Sequence, residues 1–489
     1  MRPTVCGRRI RLMPLFMKKD IFASLALALA PLTLSVANVT LPAVISDGMV
    51  LEQNSTVKLW GWAKPYEIVT IKTSWDTATY RATPTPLAQW SVEIPTPAGS
   101  TKKHTIEFQG YNRLSVKDVL VGEVVLCAGQ SNMEFQPSWG QWDGYAHRDS
   151  LLAQATQDDI RMFRVDYRTA AQPTLDVSGH WVPTTPDNAR NFSVIGYVMA
   201  CRLRAELGVP VGIVDASWGG TPIETWMPAE AFDADPRLRA LNGRLSEVSW
   251  GPVRPALAYN AMLEPLMDYR FRAVAWYQGE QNCENADGYS LLLQELVRRW
   301  RARLYAGADV PFVYAQIAPH KYQDPGMAVV VRDQQRQALA AIDNSALVVI
   351  GDLGDVADIH PRFKVEAGNR FANAVLTKAY GRAGFGYAAP LLAGARLAKG
   401  GRHVVVSFAN AEGLHITGKS KTANWFELAG DDGVFHVAEG RIQKDGTVVV
   451  SSREVKRPAA VRYAWADDAW PNLSNGAGVQ ASCFGAVAL

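Results

Sequence analysis

The chain has 489 residues, 50 of them Lys or Arg against 47 Asp or Glu, and 48% are apolar. That length calls for two or three domains with their own cores. A charged fraction of 20% and an aromatic fraction of 10% exclude a disordered chain, and the near balance of charge excludes a basic nucleic-acid surface.

Residues 1–37 read as an export leader. Lys18 and Lys19 precede an apolar run from Ile21 to Leu34, and Ser35-Val36-Ala37 offers a small-residue cleavage site. The run is about 14 residues, short of the roughly 20 that span a bilayer. Cleavage after Ala37 removes six basic residues and one acidic, leaving 44 against 46. The mature protein is expected to be near neutral, periplasmic or secreted, and not inserted in a membrane. Its cysteines, Cys127, Cys201, Cys283 and Cys483, contain no C-x-x-C pair, and their sequence leaves thiols and disulfides both open.

From 38 to 118 short alternating segments are separated by Pro84, Pro86, Pro95, Pro97 and Gly99. Val57–Trp62, Ile68–Ile71, Trp90–Ile94 and His104–Phe108 read as strands of an all-β, sandwich-like module. The pattern changes at Val119. Over 119–390 continuous apolar runs at 124–127, 211–214, 273–276, 311–314 and 346–350 alternate with helical periodicity at 195–207, 289–304, 330–342 and 364–379. This is the signature of an α/β fold, a parallel sheet flanked by helices, with its chemistry beyond the carboxyl ends of the strands. Over 391–489 the alternating β pattern returns, either as a separate module or completing a β domain begun elsewhere.

Four strand ends carry polar loops: Gly129-Gln130-Ser131-Asn132-Met133, Ser217-Trp218-Gly219-Gly220-Thr221, Gln278-Gly279-Glu280-Gln281-Asn282, and the stretch from Gly351 through Asp355 and Asp358 to His360-Pro361. They supply the parts of an acyl-transfer site. Ser131 on a tight turn serves as nucleophile, His360 as general base, and a carboxylate orients the imidazole. Backbone N–H groups of Ser131 and Gly220, with the Asn282 amide, are candidate oxyanion donors. Gln130, Trp139, Trp142, Trp218, Gln278 and Glu280 lie near these loops and are candidate substrate contacts, flat aromatic faces with polar edges suiting sugar rings. No G-x-S-x-G elbow surrounds Ser131, so the common α/β-hydrolase arrangement is not expected. Without an H-E-x-x-H pair or a phosphate-binding G-x-x-x-x-G-K-[ST] loop, metal-dependent proteolysis and nucleotide hydrolysis have no support, and no cofactor is expected.

These loops resemble the SGNH hydrolases, and within them the sialate O-acetylesterase family of carbohydrate esterases. The resemblance rests on Gly129–Met133, on Trp276-Tyr277-Gln278-Gly279-Glu280, on His360-Pro361 with Lys364 beyond, and on outlying segments 45–51 and 461–467. It implies an SGNH-type sheet, an O-acetylated carbohydrate as partner, and metal-free hydrolysis of acetyl esters. One position departs from the common D-x-x-H order: Ala357 stands three residues before His360. Asp358 is the expected third triad member, with Asp355, or no acid at all, as alternatives. The intact Ser131, Asn282 and His360 argue against a binding-only protein, and the polar loops against a lipid esterase or thioesterase. Sialic acids and plant polysaccharides such as xyloglucan or xylan stand as equal substrate classes.

Overall fold

In the computed structural model, six strands lie parallel in the order Ser345–Val349, Phe312–Gln316, Ala273–Tyr277, Arg113–Gly129, Val211–Ser217 and Ile160–Arg164, and Trp181–Pro183 closes the edge antiparallel. The described residues are 38–139, 147–322 and 325–489, so the leader at 1–37 and Trp142 lie outside them. The central strands are apolar because helices cover the sheet: Val124, Val125, Leu126, Cys127 and Ala128 have no exposed surface. Helices Val194–Leu207 and Lys364–Tyr380 pack together, and Tyr289–Arg303 pairs with Ala328–Ala338. Leu292, Leu293, Leu296, Val297 and Trp300 form the inward stripe of the third helix, as their i, i+3, i+4 spacing predicts.

Two of these seven strands escape the sequence reading, Ile160–Arg164 and Trp181–Pro183. The first carries Arg161 in its interior, and that side chain is 1% exposed. Its guanidinium pairs with Asp118 at 2.6 Å and Asp158 at 3.0 Å, which offsets the desolvation that otherwise keeps arginine out of a core.

The strand Arg113–Gly129 runs unbroken through residues 118 and 119. Its first half pairs antiparallel with Ser100–Gln109, and Val50–Glu52 joins its middle in parallel. The change of pattern at Val119 is therefore a change of neighbours along one strand. After residue 390 seven strands form an antiparallel sheet over a separate core that includes Val404, Phe426, Val448, Tyr463 and Phe484. That sheet is fastened to the α/β part by Asp467, whose carboxylate accepts the Gly326 and Val329 N–H groups at 2.7 Å each, and by Gln316 Nε2 donating to Ser482 Oγ at 2.8 Å. The four thiols are unpaired. No helix among the described residues is long and apolar enough to cross a membrane.

Candidate active site

Register brings three of the loops to one place. Gly129 stands opposite Tyr277 on one side and Ser217 on the other, so the segments that follow leave the sheet at the same level. Gly129 has φ +140°, and a Cβ there would fall 2.1 Å from the Tyr277 carbonyl oxygen. Only glycine lets the strands approach so closely. Beyond it the Gln130 N–H donates to Tyr277 O at 3.0 Å and the Trp218 N–H to Gly129 O at 3.0 Å. Ser131 then opens a single helical turn, Ser131–Glu134, with its side chain half-buried.

His360 reaches the same spot from farther away. Its strand, Ser345–Val349, lies three positions from the strand that leads to Ser131, about 14 Å at ordinary strand spacing. The 350–363 loop folds back across that gap on its own hydrogen bonds: Leu353 N–H to Ile350 O, Asp358 N–H to Asp355 O, Phe363 N–H to Leu353 O. It places His360 Nε2 3.0 Å from Ser131 Oγ. The Asp358 carboxylate accepts the His360 backbone N–H at 2.9 Å and lies 3.7 Å from Nδ1. Asp355 is exposed and accepts the Ala357 N–H instead. Burial pulls the His360 pKa down to about 3, aided by the neighbouring Lys364 and His320. The imidazole is therefore neutral at pH 7 and able to take a proton.

Beneath the pair lies a buried polar network centred on Asn132. Its Nδ2 donates to Glu280 Oε1 at 2.6 Å and to Ile359 O at 3.1 Å, while its Oδ1 accepts from Lys364 Nζ. Lys364 is fully buried, with Nζ 5.1 Å from the Phe135 ring centre and 5.4 Å from that of Tyr277. Burial lowers the Lys364 pKa and raises that of Glu280. The residue next to Ser131 thus holds the carbonyl preceding His360.

The opposite wall is aromatic. Gly219 N–H donates to the buried Glu134 at 2.8 Å, and Glu134 also accepts from Arg164 and the Tyr167 hydroxyl. Tyr167 stacks flat on Trp218, with centroids 4.4 Å apart. Gly220 has φ +70°, and a Cβ there would meet the Trp250 ring at 2.3 Å. Trp139 is half-buried, its ring 6.4 Å from that of His360.

Several polar residues expected to face a ligand do not. Asn282 is buried, and its amide donates to Glu224 at 2.9 Å and Asn285 at 3.0 Å, which uses both N–H groups and leaves none for an oxyanion. Gln278 is buried, donating to Thr221 O and Asn282 Oδ1 and accepting from the Tyr289 hydroxyl. Glu280 is committed to Asn132. Gln130 is 3% exposed, and its Oε1 accepts the Gly279 and Gln281 N–H groups, tying two loops together. Conversely, Asn132, Tyr167 and Trp250 join the site without having been singled out as site residues, and Lys364, noted only for its nearness to His360 in sequence, joins it from below. Adjacency to Ser131 was the available signal for Asn132, and the place four residues after His360 for Lys364.

A hydroxyl and a neutral imidazole in hydrogen-bond contact at the mouth of a parallel sheet suit acyl transfer. Known proteins agree. The model of a family described as carbohydrate esterase, sialic acid-specific acetylesterase, matches residues 121–377, more than half of the chain. The crystal structure of a carbohydrate acetylesterase from Xanthomonas citri is 32% identical, superposes with a TM-score of 0.81, and covers 91% of this chain and 99% of its own. Human sialate O-acetylesterase is 27% identical over 71% of this chain and 72% of its own. The rat sialate O-acetylesterase is 28% identical, over 57% of this chain and 60% of the rat protein. The molecule is a carboxylic-ester hydrolase. It belongs to the carbohydrate esterase family of sialic acid-specific acetylesterases.

Proposed function

We propose that the protein is an exported serine esterase that removes acetyl groups from an O-acetylated glycan, with residues 1–37 as its leader, 38–118 and 391–489 as β modules and 119–390 as the catalytic domain. The observation that carries this reading is the 3.0 Å contact of His360 Nε2 with Ser131 Oγ. Ser131 Oγ attacks the acetyl carbonyl carbon while its proton passes to His360 Nε2. The oxyanion is met by the N–H groups of Ser131 and Gly220, each such donor worth on the order of 3 kcal/mol. Collapse breaks the bond to the sugar oxygen, which takes the proton from His360 and leaves. Water, deprotonated by His360, then attacks the acetyl-serine, releasing acetate and restoring the hydroxyl. Asp358 steadies the loop and the imidazolium that forms.

Trp218, backed by Tyr167, and Trp139 offer flat faces for the sugar. Of the three cations near the site in sequence, Arg332 and Lys364 are buried and Arg362 is exposed. Sialoglycans and acetylated plant polysaccharides are the two substrate classes to compare. Acetate released from acetylated xyloglucan, acetylated xylan and O-acetylated sialoglycan, by the protein and by Ser131→Ala, tests the reading. Release from one glycan, lost in the variant, supports it. No release from any, with equal binding by both proteins, overturns it in favour of a binding module.

A further inference from the structure

A second groove opens on the opposite end of the sheet. Strands Thr56–Trp62 and Gln89–Pro95 pair antiparallel, with Trp60 opposite Ser91 and Trp62 opposite Gln89. Alternation turns Val57, Leu59 and Gly61 inward and leaves Lys58, Trp60 and Trp62 half-buried on the outer face, beside exposed Gln89 and Ser91. Glu264, Asp268 and Arg303 form part of the facing wall, and the enclosed space is about 440 Å³. That falls in the roughly 300–1,000 Å³ range of small-ligand sites.

The chemistry of this space is specific. Lys58 lies 2.9 Å from Asp268, and Arg303 lies 2.7 Å from Glu264 and 3.0 Å from Asp268. Two cations against two carboxylates leave no net charge to select an anion, yet they fix donors and acceptors along one side. Among the described residues the indole N–H groups of Trp60 and Trp62 meet no protein acceptor, and neither is enclosed. Trp60 stands edge-on to Tyr269, and Trp62 has no aromatic ring partner among the described residues. Aromatic faces with open N–H donors, set among neutralised polar groups, match an uncharged polyol better than an ion, a peptide or a lipid.

We propose that this groove binds an uncharged segment of a glycan chain, separately from the Ser131 centre. Asp268 precedes the amino end of strand Ala273–Tyr277 and Ser131 follows a neighbouring carboxyl end, so at least a strand length, about 16 Å, divides the two sites. A polymer held here raises the local concentration of acetyl esters near Ser131, whereas a short oligosaccharide gains nothing from it.

The test is affinity electrophoresis of the mature chain in soluble xyloglucan, xylan or a sialylated glycoprotein, for wild type, Trp62→Ala and Gln89→Ala/Ser91→Ala. Thermal unfolding and hydrolysis of 4-nitrophenyl acetate are recorded alongside. Retardation by a neutral polysaccharide, weakened at least tenfold by Trp62→Ala and measurably by the exposed polar pair, with unchanged 4-nitrophenyl acetate turnover, is the expected result. No retardation of wild type, equal retardation of all three proteins, or preference for the sialylated chain overturns the proposal. If Trp62→Ala unfolds, the polar pair decides alone. Were wild type to bind but leave 4-nitrophenyl acetate intact, the esterase reading would fail while the groove stood.

Discussion

Ser131 and His360 meet at 3.0 Å, but they are held there by different means. Ser131 is fixed by backbone: Gly129 pressed against Tyr277, Gln130 N–H on Tyr277 O, Trp218 N–H on Gly129 O. His360 sits on a loop that has crossed three strand positions, and side chains finish its placement, chiefly Asn132 on the Ile359 carbonyl with Lys364 and Glu280 behind it. A sheet can set a nucleophile by register alone. A base arriving from a distant strand needs a buried polar network, whose members titrate and can be mutated singly. The contrast predicts that side-chain changes harm the His360 half more than the Ser131 half.

The largest effect is expected for Asn132→Ala. It strips Lys364 and Glu280 of their shared partner, costing about 1–3 kcal/mol of stability, and frees the His360 loop, so kcat falls about a hundredfold. Denaturant unfolding and kcat measured together check this, and a stable variant with near-normal kcat would break the contrast. Gly220→Ala comes next, because a residue other than glycine is strained at φ +70° and its Cβ meets Trp250. We expect kcat to drop by roughly tenfold or more as the oxyanion donor shifts; an unchanged kcat would remove Gly220 from that role.

Asp358→Asn should cost less than the roughly 10⁴-fold seen where a triad carboxylate bonds the imidazole directly. At 3.7 Å from Nδ1 it is beyond hydrogen-bond distance, so about a tenfold loss is expected in kcat. A loss of thousands would mean that the carboxylate closes on the ring during turnover. The smallest effect at neutral pH is expected for Lys364→Met, whose signature is in the pH profile. The buried cation is one of the causes that hold His360 down, after burial itself. Without it His360 takes up a proton more readily, and the acid limb of kcat/KM moves to higher pH. A limb that stays in place, or moves lower, would show that Lys364 acts only through packing.

Much of this was legible in the sequence. Apolar runs marked five of the six parallel strands, and periodicity marked the four long helices, because burial on both faces and on one face leave different patterns. Ile160–Arg164 was hidden by its arginines, since a paired buried guanidinium reads as surface. The site loops were legible as a set, but not the direction of each side chain. Gln278, Glu280 and Asn282 read as ligand-facing because polar residues after a strand are usually exposed, yet here Gln278 bonds Asn282 and Glu280 bonds Asn132. Sequence gives no sign of that closure, which depends on Glu224, Asn285 and Tyr289 arriving from other segments.

The central claim is that Ser131 carries the acetyl group, driven by His360. Rapid acid quench of the enzyme with an acetylated substrate, followed by mass spectrometry of its peptides, tests it most directly. The account predicts one acetyl group on the peptide containing Ser131, absent in Ser131→Ala and strongly reduced in His360→Ala. Acetate release that persists in Ser131→Ala, with no acetylated peptide in the wild type, would contradict it.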